Sequence, residues 1–145
     1  MSYSFRFVDD IALADLAFEV NGDTLQDVFQ GATDAMIEAL ANPETIGSTW
    51  QEAIDLEDAD PGALLFDWLS ELVYWKDAAG VVFSRSEVMV AQAEDSLWKL
   101  KARVHGDPVK VASQELRADV KGVTKHLYRL AHEDGRWTAR VVLDV

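Results

Sequence analysis

Four side chains in this sequence have types and surroundings that could do chemistry. Asp15 stands in "IALADLAF", ionised and alone between Asp10 and Glu19 in an otherwise apolar stretch. A carboxylate there is either a metal ligand or an aspartate of a turn or sheet edge, because an unpaired buried charge is costly. Asp144 stands in the closing run "GRWTARVVLDV", which alternates apolar and polar residues up to its last positions. Lys121 and His126 share "VKGVTKHLY", where Gly122 is unusual inside a strand and suggests a bulge or a close backbone approach. With no special role, Lys121 is a solvated strand lysine and His126 a half-buried, hydrogen-bonded histidine.

Several chemistries are excluded. His105, His126 and His132 have no zinc-enzyme spacing such as HExxH. The absence of cysteine removes disulfides, zinc thiolates and thiol nucleophiles. Neither a phosphate loop nor a GxSxG elbow occurs. The formal net charge of -13 argues against strong direct nucleic-acid binding, which draws its affinity from Lys and Arg on phosphates. The same charge suits a basic protein partner or a bound cation, and is also explained by solubility alone. No stretch approaches the roughly 20 apolar residues that span a membrane. The segment "MSYSFRFVDD" lacks a basic region followed by an apolar run. A soluble, cytoplasmic protein with no membrane partner is expected.

The elements that must position these residues are legible in outline. With 145 residues, 49% of them hydrophobic, the chain suffices for a single domain, 1–145, with its own core. "SFRF" and "AFEV" alternate as strands do. Thr24 followed by Asp27 resembles a capping signal, and Leu25, Val28, Phe29, Ala32, Met36 and Leu40 recur at helical spacing as far as Asn42-Pro43. "STWQEAIDLED" predicts a short strand. Asp60-Pro61 starts a second helix, with Leu64, Leu65, Trp68, Leu69, Leu72 and Val73 as its apolar stripe. From Val81 onward four segments are β-rich, and "SLWKLKARV" sets Lys99, Lys101 and Arg103 opposite in sense to Trp98, Leu100, Ala102 and Val104. The order predicts an α+β fold, with two main helices packed on one side of a mostly antiparallel sheet.

The last hairpin predicts a register. Asp134-Gly135 between alternating runs is a two-residue turn signal. Glu133 then faces Arg136, and an unbroken count places Tyr128 opposite Val141, His126 opposite Leu143 and Lys125 opposite Asp144. Trp137, Ala139, Val141, Leu143, Tyr128 and Leu130 share the face expected to meet the core, and Arg129, Arg140, Lys125 and Asp144 share the other. On that count Asp144 forms a cross-strand pair with Lys125, a contact of about 0.2–1 kcal/mol.

Taken together, "ALADLAFEV", "TLQDVFQGATDAM", "IDLEDADPGALLFDWLSELVYWKDAAGVVF", "VKGVTKH" and the closing "VVLDV" resemble the archease family over nearly the whole chain. The resemblance implies a small α+β protein that is not an enzyme but activates RtcB-type RNA ligases in tRNA splicing or RNA repair. It implies that Asp15, Asp144 and Val145 hold a divalent cation, calcium or magnesium, since oxygen-only ligands suit a hard ion. Lys121 matches the family lysine associated with partner activation, and His126 is a weaker candidate for the same site. Many relatives carry "DHTAD" at the first site; here the stretch is "DDIALAD", and Asp10 takes the place of the histidine if "IALAD" aligns without a gap. The competing expectations are a metal-stabilised, chaperone-like module for another partner, and a small hydrolase using Asp15 and Asp144 to hold a catalytic metal.

Overall fold

Thr24 and Asp60 start the two helices, as the local sequence predicts. In the computed structural model, which describes residues 2–8 and 15–145, the Thr24 hydroxyl accepts the Asp27 N–H at 3.0 Å and opens α1 (Leu25–Leu40). The Asp60 carboxylate accepts the Ala63 N–H at 2.9 Å and opens α2 (Pro61–Ala79), whose first position is the proline and whose end is Gly80 in the left-handed region at φ 64. The strands are β1 (Tyr3–Val8), β2 (Asp15–Gly22), β3 (Trp50–Asp58), β4 (Val81–Gln92), β5 (Trp98–Pro108), β6 (Gly122–Glu133) and β7 (Arg136–Asp144). The predicted α+β class and antiparallel pairing hold.

The strands divide between two sheets rather than forming one. Their orders are β1-β2-β7-β6 and β3-β5-β4. Helix α1 lies along the free edge of β4 and closes it. The side-chain amide of Gln30 donates to Ser86 O (2.9 Å) and accepts the Val88 N–H (3.2 Å). That of Gln26 donates to Val88 O (2.6 Å) and accepts the Val90 N–H (2.7 Å). Each glutamine amide replaces one peptide group of a neighbouring strand. The spacing fits, because four helical residues rise about 6 Å and two strand residues advance about 6.8 Å. An edge strand satisfied in this way offers no ladder to another chain.

Between the sheets the apolar faces meet. Phe18, Val20, Val141 and Leu143 from the first sheet and Phe83, Val88, Leu100 and Val104 from the second are buried in one cluster with both helices. Trp68 of α2 is fully buried; its indole N–H donates to the Thr33 hydroxyl (2.8 Å), which donates in turn to Phe29 O (2.7 Å). The polar atoms of this large ring contact are therefore matched inside the core. Tyr3 clamps β1 onto α1 through a 2.6 Å hydrogen bond to Asp34, which, with burial, pushes its hydroxyl pKa up to about 12.

The hairpin turn forms where its signal lies, with positive φ at Asp134 (53) and Gly135 (75). Pairing runs as counted from Glu133↔Arg136 to Arg129↔Arg140 and then breaks. The next pair is Thr124↔Val142, so Lys125, His126, Leu127 and Tyr128 stand opposite Val141 alone. Leu127 absorbs the extra length at φ 59. The count that set Lys125 opposite Asp144, His126 opposite Leu143 and Tyr128 opposite Val141 is thereby overturned. Gly122 is not the bulge; it pairs regularly with Asp144, and a side chain there would meet nothing within 4 Å.

Candidate functional site

Three chain segments converge at one end of the first sheet. Asp15, the first residue of β2, lies directly opposite Asp144, the last of β7. On the other side of β7, Gly122 pairs with Asp144, and the Lys121 N–H donates to Asp144 O at 2.7 Å. Strand alternation puts Asp15 and Asp144 on the same face of the sheet. Asp15 is half-buried, Asp144 exposed, and Val145, one residue further, is 36% exposed.

Directly opposed residues on antiparallel strands have Cβ atoms about 4.5–5.5 Å apart, and like charges so placed repel. A cation relieves that repulsion, and two fixed carboxylates are the start of a hard-ion site. Among the described residues no group of three His, Cys, Asp or Glu side chains forms a metal cluster. A hard ion at Asp15 and Asp144 would need further oxygens beyond these two carboxylates. Asp10 lies outside the described residues.

Lys121 is held from three directions. Its own N–H is bound to Asp144 O, Val120 before it is fully buried, and Asp119 before that is gripped by Lys76 of α2. The Lys76 ammonium, on a side chain 8% exposed, lies 2.7 Å from Asp77 and 2.9 Å from Asp119. Burial opposes its charge, but the hydrogen bonds to Asp77 and Asp119 outweigh it and its pKa rises. The hydrogen bond from Lys76, followed by the charges of Lys76 and Lys121, holds the Asp119 pKa below the usual carboxylate value. From sequence Lys76 looks like any solvated lysine in the last turn of a helix; only the fold brings Asp119 to it. A lowered folded-state pKa contributes stability above the unfolded value, near 3.9, and loses it as pH falls through the folded value. Wild type is accordingly expected to lose melting temperature relative to Lys76→Met as pH drops below about 4. Thermal melts of both proteins across that range check this, and a constant difference would mean the pair contributes nothing.

His126 and Lys125 do not join the carboxylates. His126 is exposed in the bulge, its N–H bound to the Thr124 hydroxyl at 3.1 Å. Lys125 turns to α2, its ammonium 5.4 Å from the centre of the Phe66 ring. Asp144 thus keeps both its oxygens clear of the lysine that the simple register would have paired with it.

The structure is a two-sheet α+β domain with paired carboxylates where β2 begins and β7 ends. The sequence matches the profile of the Archease protein family (MTH1598/TM1083) over residues 5–145. It is 33% identical over 141 residues to Protein archease of Methanothermobacter thermautotrophicus, covering 97% of this chain and 98% of the relative. Protein archease of Methanopyrus kandleri is 32% identical, with 91% and 94% covered. The solution structure of Methanobacterium thermoautotrophicum protein 1598 superposes with a TM-score of 0.79 at 31% identity, covering 97% of this chain and 98% of that one. The crystal structure of a Thermotoga maritima archease, described as a possible chaperone, shares the fold with a TM-score of 0.62 at 17% identity, covering 92% and 93%. The chain belongs to the archease family.

Proposed function

We propose that this chain is a metal-binding, non-catalytic accessory protein that activates an RtcB-type RNA ligase, promoting guanylylation and turnover in tRNA splicing or RNA repair. The observation that carries this reading is the register in which Asp15 faces Asp144, with Lys121 one main-chain hydrogen bond away. Family membership supports the partner class. Asp15, Asp144 and a main-chain oxygen of Val145 make an oxygen-only ligand set, which fits calcium or magnesium and not zinc. Such a cation, when bound, supplies a positive centre that draws anionic groups to this end of the sheet. Strand pairing fixes the positions of Asp15 and Asp144, and Lys121, whose N–H is bound to Asp144 O, would bring a second positive charge to the same end of the sheet. The net charge of -13 speeds encounter with a basic, RNA-binding enzyme.

The test is turnover of limiting purified RtcB-type ligase from the same organism, with and without this protein and with calcium or magnesium present. Wild type is expected to accelerate ligation. Asp144→Ala and Lys121→Ala, with melting temperatures unchanged, are expected to lose about tenfold or more of that acceleration, the loss typical when metal-site groups are removed. No acceleration by folded wild type would refute the activator role. The description of the Thermotoga maritima neighbour as a possible chaperone favours a second reading, a metal-stabilised binding module for another client. In that case Asp144→Ala lowers the melting temperature and leaves ligase turnover as it was.

A further inference from the structure

We infer that the cleft between α2 and the bulge of β6 is a binding site for a single nucleotide, one planar base together with its phosphate. The cleft is open to solvent and holds about 560 Å³, within the range of about 300–1,000 Å³ usual for small-molecule sites. Its helix wall carries Asp60, Phe66 and Asp67, its strand wall Lys125, Tyr128 and Arg129, and Trp137 of β7 completes the lining.

The bulge that makes the strand wall is an unfavourable backbone choice. Leu127 takes a left-handed φ without being glycine, and leaves its side chain 44% exposed. Lys125 and His126 are exposed as well, so of the four residues opposite Val141 only Tyr128 packs against the core. What they do is carry the strand to α2. The Tyr128 hydroxyl donates to Gly62 O at 2.6 Å, the Tyr128 ring meets Phe66 edge to face at 5.2 Å, and Lys125 lies over the same Phe66 ring. Bulges recur beside functional sites because they re-aim side chains, and here the bulge re-aims Lys125.

The chemistry of the walls selects the ligand. Opposite signs face each other: carboxylates come from the helix, and the ammonium of Lys125 comes from the strand. Burial and the charges of Asp60 and Asp67 raise the Tyr128 hydroxyl pKa, in keeping with both carboxylates facing the cleft. Asp60 already caps α2 through Ala63, so the helix start is satisfied without a ligand. Among the described residues Lys125 and Asp67 take part in no ion pair, and Arg129 pairs only with the exposed Glu133. An apolar ligand would strip water from these charges and return nothing, and a purely anionic one would meet Asp60 and Asp67. A ligand with N–H donors at one end, an anion at the other and a flat ring between satisfies both walls and the aromatic lining. His132 stacks on Trp137 at 4.6 Å and 10°, holding the indole plane as a stacking platform. An added peptide strand is the poorer fit, because strand addition needs a continuous ladder and the bulge interrupts that of β6.

The base and phosphate can come from a free mononucleotide or from the end of an RNA strand, and one titration separates them. Isotope-labelled protein is titrated with AMP, ribose 5-phosphate or a short oligoadenylate, following the Trp137 indole N–H and the amides of residues 125–129. Saturable shifts with AMP are expected, much smaller with ribose 5-phosphate. Lys125→Gln and Phe66→Leu are each expected to weaken AMP binding about tenfold, the effect of losing one charge-assisted or stacking contact. Tighter binding of the oligonucleotide than of AMP assigns the site to an RNA end, and the reverse order to a free nucleotide. Absence of saturable shifts with either probe up to about 10 mM, a concentration sufficient for millimolar affinity, overturns the inference. So do shifts that both substitutions leave unchanged. No ligase is present in this experiment, so failure of the activator role and failure of the nucleotide site are separate results.

Discussion

Replacing Gln26 and Gln30 together by leucine is expected to remove about half or more of the protein's folding stability. Helix propensity is not at stake, since leucine and glutamine are nearly equal in that respect. The loss is at β4. Ser86 O, Val88 N–H, Val88 O and Val90 N–H all take their partners from these two side chains. Ser86 and Val88 are buried, so water cannot replace the amides without opening the interface with α1. Each orphaned buried group costs about 1–3 kcal/mol. The three on Ser86 and Val88 amount to roughly 3–9 kcal/mol, against a total stability of about 5–15 kcal/mol for a typical domain. Either single substitution should lower stability by roughly half as much, measurable as a shifted urea midpoint. Gln30→Glu should lie between, because a carboxylate can still accept from Val88 but cannot donate to Ser86. A double variant that melts cooperatively within about 1 kcal/mol of wild type would show that the β4 edge is readily hydrated.

The same glutamines mark where the sequence stops being informative. Helix starts are written in local chemistry, and Thr24, Asp60 and Pro61 act where they stand. The stripe Leu64, Leu65, Trp68, Leu69 and Leu72 predicts its own burial, because periodicity is a local property. A glutamine facing a strand edge has no such signature; on a helical wheel Gln26 and Gln30 pass for solvent-facing residues. The bulge is hidden for a related reason. No glycine or proline marks residues 125–128, and the one glycine nearby, Gly122, points to the wrong place. Leu127 holds its left-handed conformation through contacts of its neighbours with α2, more than fifty positions earlier in the chain. The candidate site divides along the same line. Asp15 and Asp144 are visible singly, and family resemblance couples them, but their opposition depends on β2 pairing with β7, across most of the sequence. The Lys76 anchor of the Lys121 segment leaves no trace in composition or spacing.

Gly106→Ala is expected to destabilise the protein by about 3 kcal/mol or more, at the upper end of what overpacking costs. A methyl carbon on Gly106 would sit 2.2 Å from the carbonyl oxygen of Val82, with Val82 C at 3.1 Å and Phe83 Cα at 3.2 Å. All three atoms are main chain, so no side chain can rotate aside. The approach is close because β4 is irregular here: Phe83 pairs with Gly106, Arg85 pairs with His105, and Ser84 is the extra residue. To admit the methyl group, β4 must move away from β5, yet β5 is the centre of its sheet and Val82 and Phe83 are buried against the helices. The shift would therefore reach the α1 amides that close the far edge of β4. Gly122→Ala is the control. That position has open space around it, and losing glycine's unfolded-state freedom should leave stability unchanged or raised by about 0.4–1 kcal/mol. Urea unfolding of the two variants beside wild type decides the matter. A Gly106→Ala midpoint within about 1 kcal/mol of wild type would mean that β4 and β5 separate freely at the irregularity, and that this sheet is held by its helices rather than by its ladder.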